Sequence, residues 1–344
     1  MTGTTLVVLA PDAIPEVARG TDLATLVADA VELLPGDVVV VTSKVVSKAE
    51  GRVVAGGADS YARALASETL RVVASRGPVQ IVRQRLGLVM AAAGIDRSNV
   101  STGNLVLLPE DPDSSARELR SRLRALTGVN VGVVITDTSG RAWREGQTDI
   151  AIGVAGLVPL EQFAGRHDSY GNELSVTMPA VADEIAGAAE LAQGKLGGRP
   201  VAVVRGRQDL VLAPEEDGPG AVALVRPEGG DLFGYGSREA VLAALAQAPG
   251  TASVFGSPVS AEELLHAVRR VLPGVTAERT AERTVERQAP GADACTGLDL
   301  ALPPGAAREV LAALCFSHGW RIALWQADVA HPDAVVARVS PDIP

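Results

Sequence analysis

Gly36-Asp37-Val38-Val39-Val40-Val41-Thr42-Ser43-Lys44-Val45-Val46-Ser47-Lys48-Ala49-Glu50-Gly51-Arg52 decides how this chain is read. Four consecutive valines, bounded by Gly-Asp on one side and a polar run on the other, read as a buried strand. The run that follows carries hydroxyl and ammonium groups. Strand ends are where α/β sheets present ligand groups. Hydroxyls beside lysines suit phosphate oxygens, through donor hydrogen bonds and point charges. On spacing alone, a plain polar loop with exposed lysines is the alternative.

Working outward, similar short apolar runs lie at 6–9, 105–108, 131–135, 201–204, 211–212 and 221–225, and they read as further strands. Helical patterns lie between them. Thr21 or Asp22 caps a helix that Pro35-Gly36 ends. Ser115 and Glu118 have capping-box spacing for a helix that Gly128 closes. An Ala-rich helix over 180–196 ends near Gly197-Gly198. The first 245 residues therefore read as mixed α and β. After about Pro249 the composition shifts. Ser260 and Glu263 again have capping-box spacing, and residues 276–287 hold three copies of Thr-x-Glu-Arg, expected as a solvated helix or linker. Amphipathic 306–314 and the strand-like 321–325 suggest a small αβ unit. His266, His318 and His331 are scattered, which fits structural or solvent roles.

Length and composition bound the answer. At roughly 150 residues per domain, 344 residues imply two domains. Hydrophobic residues are 47% and charged residues 21%, so the chain folds around a sizeable core. Aromatics are only 3%, which leaves Val, Ala and Leu to build that core. With 31 basic and 41 acidic residues the net charge is −10, which argues against a general nucleic-acid binder but allows a local basic pocket. Two cysteines, Cys295 and Cys315, make neither a disulfide framework nor a four-ligand zinc site. No 18-residue apolar run and no signal-type N-terminus is present, so a cytoplasmic, non-membrane protein is expected.

Neither a Gly-x4-Gly-Lys-Ser/Thr loop nor a Gly-x-Gly-x-x-Gly after a strand is found. Two other segments accompany the opening one. The first is Gly94-Ile95-Asp96-Arg97-Ser98-Asn99-Val100. The second runs Ile135-Thr136-Asp137-Thr138-Ser139-Gly140-Arg141-Ala142-Trp143-Arg144-Glu145-Gly146-Gln147-Thr148-Asp149. Asp137 ends an apolar strand beside a Thr hydroxyl, a position suited to Mg²⁺ or Mn²⁺, because hard cations prefer oxygen donors. Arg141 and Arg144 would then face anionic substrate groups. Taken singly, Asp96 and Asp137 also read as ordinary turn or helix caps; the combination raises the chemical reading.

These three segments together resemble the coenzyme F420-0:L-glutamate ligase family. Thr148-Asp149-Ile150-Ala151-Ile152-Gly153, Ala182-Asp183-Glu184 and Gly194-Lys195 extend the resemblance, which covers about residues 5–245. It implies a two-domain α/β ligase core with mixed sheets, assembled as a homodimer. It also implies that GTP drives attachment of L-glutamate to the deazaflavin precursor F420-0, often with a second, γ-linked glutamate. Two divalent ions, Mg²⁺ or Mn²⁺, and K⁺ belong to the same expectation. By motif, Asp96 and Asp137 match metal ligands and Thr138 sits beside the second metal. Ile14, Pro15, Glu16 and Val17 match a nucleotide loop, and Ser43, Lys44, Lys48 and Asn99 match GTP contacts. Gln193, Gly194, Lys195 and Gly197 belong to a further nucleotide loop, where this chain places Lys195 at a position that the resemblance offers to a metal ligand. The implied division is a core over 1–248 and a small C-terminal αβ region over 249–344. That region lacks the arginine-rich start of the nitroreductase-like domain found fused to some relatives, so no flavin function is carried over.

An amide ligase must first phosphorylate a carboxylate, because the free carboxylate is a poor electrophile. Phosphoryl transfer depends on positioning and charge neutralisation. Asp96 and Asp137 would hold the metals, while Lys44, Lys48 and Arg141 would offset phosphate charge. The same acids with water as acceptor describe a metal-dependent phosphohydrolase, and binding without turnover describes a nucleotide-binding regulatory protein.

Overall fold

The computed structural model describes residues 5–12, 14–55, 59–97, 103–227, 229–279, 297–327 and 335–342. The chain divides into two compact units, Met1–Val225 and Arg226–Pro344. The division falls before the helix Ser237–Ala246, within the stretch that the motifs group with the core.

The first unit is mixed α/β, as expected. Its main sheet runs, edge to edge, Val7–Leu9, Val201–Arg205, Val38–Thr42, Gly132–Gly140 and Gln147–Ala155. Val38–Thr42 and Gly132–Gly140 are parallel, and the other pairs are antiparallel. Val39 and Val41 pack with Val27, Leu119 and Leu123 from the helices Leu23–Ala30 and Pro112–Thr127. Val38 and Val40 face the other side, against Ile185 and Ala189 of the helix Val181–Gln193. Both faces are covered, which is why this strand reads as an unbroken apolar run rather than an alternation. All four valines are fully buried, and each contributes about 1.5–3 kcal/mol relative to exposure.

The pairing pattern collects distant segments at one end of the sheet. The parallel register sets Thr42 opposite Thr136, so Ser43 and Asp137 emerge side by side. The antiparallel register sets Thr138 opposite Asp149. Val41 pairs with Val201, and Thr42 N–H donates to the Pro200 carbonyl at 2.9 Å, which brings in the loop before that strand. Val7–Leu9 ends there too, antiparallel to Val201–Arg205.

Several local expectations are corrected. The run 221–225 is not a strand but a 3-10 turn, Ala221–Leu224. Its first N–H groups bond the Asp113 carboxylate, and Gly220 enters it at φ +80°, so a side-chain cap replaces strand pairing. The run 211–212 makes only an isolated bridge between Leu157 and Val211. The helix after Pro112 starts earlier than Ser115 predicts. Asp111 caps it by accepting from Ser114 N–H at 2.9 Å, while Ser115 bonds back to the Asp111 carbonyl. Gly128 closes it in the left-handed conformation, as expected. Leu105–Val106 pairs with Val53–Val54, outside the main sheet. The three-stranded sheet Thr69–Arg76, Val79–Gln84, Val89–Ala91 is an addition to the strands expected from the sequence: its first two strands interleave arginines and other polar residues with valines, and its third occupies only part of the apolar run 88–93.

The second unit holds an antiparallel sheet in the order Thr276–Arg279, Leu298–Leu302, Val335–Pro341, Trp320–Ala327. Leu264 and Val268 of the helix Ala261–Val271 and Leu311 of Arg308–Ser317 pack on it with Leu300 and Trp320. Ser260 caps its helix as predicted, accepting from Glu263 N–H. The first Thr-Ala-Glu-Arg copy is a strand rather than a solvated connector, because it pairs along Leu298–Leu302. The other copies, Asn99 and Cys295 lie outside the described residues. Among the described residues no helix is long and apolar enough to cross a membrane.

Candidate functional site

A cavity of about 1000 Å³ opens at the strand-end side of the main sheet. Its wall begins where Val38–Thr42 runs directly into the helix Ser43–Glu50. This segment is therefore a helix and not the alternative polar loop. Val45 and Val46 anchor it in the core. Lys44 and Lys48, one turn apart, share a face, and both line the cavity with side chains only 23% and 12% exposed. Thr42 makes no side-chain cap bond to the first helical N–H groups.

Each lysine meets an acid. Lys44 Nζ lies 2.6 Å from Asp96 Oδ2, and Lys48 Nζ lies 2.8 Å from Glu16 Oε1. The hydrogen bond from Lys48 holds the Glu16 carboxyl below its usual range. Asp96 follows three left-handed residues, Ala92, Ala93 and Gly94, at φ +53°, +54° and +74°. Two alanines in that region are strained, and the surrounding packing must hold them. A Cβ on Gly94 would lie 2.7 Å from Leu108 Cδ1. Asp96 itself is fixed by two 2.9 Å backbone bonds exchanged with Val106.

Asp137 sits at the floor. Ser43 Oγ donates to its Oδ1 at 3.0 Å. Burial pushes its carboxyl up to about 7; the Ser43 bond opposes this, and the negative charges of Asp149 and Asp96 add to it. Asp149 is 3% exposed. It accepts from Thr136 Oγ1 at 3.1 Å and Thr138 Oγ1 at 2.8 Å. Lys195 Nζ stands over this pair, 2.9 Å from Thr138 Oγ1, 2.7 Å from Glu190 Oε1 and 3.6 Å from Asp149 Oδ1. Gln193 is buried in the same wall, and neither its amide nitrogen nor its oxygen has a hydrogen-bond partner.

The fold thus brings the expected residues together. Ile14, Pro15, Glu16 and Val17 line the cavity, as do Ser43, Lys44 and Lys48. Asp96, Asp137 and Thr138 line it with Gln193, Gly194 and Lys195. Gly197 does not line it, and Arg141 does not either: its guanidinium bonds the Glu145 carbonyl within the same hairpin. Thr136, Asp149, Glu190 and Arg199 were given no role from sequence and do line it. Glu190 carried a usable signal, three residues before Gln193 on one helix face. Arg199 gave none, since only the turn into Val201–Arg205 aims it inward. Among the described residues, no three His, Cys, Asp or Glu side chains converge to enclose a metal ion.

A family model described as F420-0:Gamma-glutamyl ligase matches residues 13–206, more than half of the chain and every segment that builds the cavity. The chain belongs to this family. Its similarity extends to curated relatives named Coenzyme F420:L-glutamate ligase. The Methanopyrus kandleri protein is 43% identical over 240 residues, covering 63% of this chain and 93% of that protein. The Archaeoglobus fulgidus protein is 42% identical over 232 residues, 60% of this chain and 93% of that one. The Methanosarcina acetivorans protein is 38% identical over 217 residues, 58% and 85%. The family match ends before the second unit begins.

Proposed function

We propose that this chain joins L-glutamate to coenzyme F420-0 through an amide bond, driven by GTP through an acyl phosphate, and adds further γ-linked glutamates. The observation that carries the reading is the cavity's charge pattern within the family-matched residues. Five carboxylates and four cationic side chains line it at the strand ends. In the first step an F420-0 carboxylate oxygen bonds the γ-phosphorus while the bridging bond to GDP breaks. In the second the glutamate amine bonds the acyl carbon and phosphate leaves. Lys44 and Lys48 offset phosphate charge, and the uncapped start of Ser43–Glu50 turns N–H groups and a positive dipole end toward an anion. The unpaired Gln193 amide offers a donor and an acceptor to a bound reactant, which removes its desolvation cost.

Mg²⁺ commonly uses one or two carboxylates with phosphate oxygens completing its shell. Asp96 and Asp137, all-oxygen donors in one cavity, fit that pattern. Mg²⁺ or Mn²⁺ held there would supply charge neutralisation and Lewis acidity. K⁺, a homodimer and a cytoplasmic location complete the proposal.

The test is mass spectrometry of the product after the full chain is incubated with F420-0, glutamate and either GTP or ATP. Glutamyl product with GTP supports the reading. Phosphate release that ignores glutamate would assign a phosphohydrolase, and nucleotide binding without turnover a regulatory protein.

A further inference from the structure

Of the three tryptophans, Trp320 and Trp325 pack in the apolar cluster of the second unit, whereas Trp143 is 88% exposed. An indole is among the largest apolar surfaces a side chain offers, so leaving one in water forgoes much burial. The backbone of Trp143 is also held at φ +62°, left-handed space that bulky residues rarely enter. Strain of this kind gathers at ligand clamps, where neighbouring structure holds it. Here Arg141 Nη2 donates to the Glu145 carbonyl at 2.9 Å and closes the turn around Trp143.

That turn is the outer end of a hairpin whose inner end is the reaction cavity. Thr138 and Asp149 face each other across the hairpin and line the cavity. Gly140 and Gln147 are the last pair before the turn, and they lie on the same face, because side chains two apart on a strand point the same way. A Cβ on Gly140 would meet no described atom within 4 Å, which leaves this face unobstructed between cavity and turn. Five residues separate Thr138 from Trp143, a reach of at most about 18 Å. Arg144, next to Trp143, is exposed as well, in a chain whose net charge is −10.

We infer that the turn 141–146 reads the acceptor: the deazaflavin ring of F420-0 stacks on the Trp143 indole, and Arg144 meets the anionic chain that joins the ring to the carboxylate. The inference rests on the ligase reading for the identity of the acceptor. In F420-0 the flat ring and the carboxylate to be activated lie at opposite ends of a flexible chain that carries a phosphodiester. With the carboxylate beside Lys44 and Asp137, the ring is led out of the cavity along the hairpin. An indole offers a broad, rigid π-face to such a ring, and a guanidinium suits phosphate oxygens. The described residues matched to GTP by segments 14–17 and 43–48 line the cavity, and Trp143 does not, so the ring of the acceptor rather than guanine is its occupant.

The test is a binding titration on the full chain with a non-hydrolysable GTP analogue present, for wild type, Trp143→Ala, Trp143→Phe and Arg144→Gln. Two probes are used, F420-0 and the deazaflavin chromophore without its phosphate, both read by their own fluorescence anisotropy. Stacking on an aromatic side chain is worth about tenfold or more in affinity, so Trp143→Ala should weaken both probes by that factor and Trp143→Phe by much less. Arg144→Gln should weaken F420-0 by about threefold and leave the phosphate-free chromophore unchanged, as expected of an exposed charge contact. Affinity for GTP, titrated separately, should stay at the wild-type value in all three variants. Wild-type F420-0 affinity in Trp143→Ala, or a loss of GTP affinity equal to that of F420-0, would overturn the inference while product formation by wild type keeps the ligase reading. Wild type that binds F420-0 through Trp143 and forms no glutamyl product overturns the ligase reading and leaves the acceptor site standing.

Discussion

The first unit buries Asp37, Glu68, Arg120, Asp149 and Gln193 among its valines, whereas the second closes an apolar cluster around Leu264, Leu300, Leu311 and Trp320. Buried polar groups are costly unless bonded, so the contrast asks how each one is satisfied. Glu68 lies between Arg52 and Arg85, both at 2.7 Å. Arg120 donates to the carbonyls of Val131, Glu216 and Ala213 and to Asp217. Asp37 takes two bonds from Arg205 and one from Leu34 N–H. These charges tie the scaffold together. At the cavity, neither polar atom of the Gln193 side chain has a partner, and the Asp137 carboxyl, though bonded by Ser43, is pushed up by burial and by two negative neighbours. Within this unit the buried charges of the frame are paired, while at the cavity the Asp137 carboxyl is raised; Ser47 Oγ and Gln84 Nε2 are unpartnered away from it, so the contrast lies in the charged groups.

The strongest way to break this contrast is Asp137→Asn. Glutamyl product should fall by roughly a hundredfold or more, since an anionic ligand is lost at the reaction centre. Stability should move the other way. The folded pKa of about 7 lies above the ordinary 3.8, so between these values the folded carboxyl keeps a proton that the unfolded chain has lost. Wild-type stability therefore falls as pH rises through this window. The metal-free variant should melt above wild type at pH 8, and the gap should close toward pH 4. A scan showing Asp137→Asn less stable at pH 8 would make Asp137 a scaffold group. By the same titration, Mn²⁺ affinity of wild type should weaken as pH drops below about 7.

Lys48→Ala comes next. A charged hydrogen bond to phosphate is worth about 1.5–3 kcal/mol, so GTP affinity should drop about tenfold or more in a calorimetric titration. Unchanged affinity would leave Lys48 as a partner of Glu16 only.

Gly94→Ala sharpens the contrast through the backbone. The left-handed φ and the 2.7 Å approach to Leu108 should cost about 1–3 kcal/mol by denaturant unfolding. Divalent-ion affinity should fall with it, because Asp96 follows two residues on. Full affinity in a destabilised variant would separate the strained turn from the site.

The smallest effect is expected from ending the chain at Val225. Each unit has its own core, and the family match stops at residue 206. Ligation should stay within about twofold of the full chain. A folded fragment that binds GTP and makes no product would give the second unit a part in the chemistry.

Much of this was open to sequence reading because it depends on neighbours along the chain. Four valines in a row state that a strand is covered on both faces, and Asp22, Gly128 and Ser260 state where helices begin or end, since caps satisfy backbone groups locally. The motif resemblance carried most cavity residues, from Ile14 to Lys195. Other features depend on groups far apart in sequence. The parallel register of Val38–Thr42 with Gly132–Gly140 alone sets Ser43 beside Asp137, 94 residues on. Arg141 reads as a phosphate partner in its motif, yet the hairpin turns it to Glu145. Asp149 and Glu190 became part of the site only when a sheet edge and a helix end met around Lys195. Strand register and helix packing are decided by burial over the whole unit, so the charges that end up facing one another, and the pKa values that follow, belong to the tertiary structure.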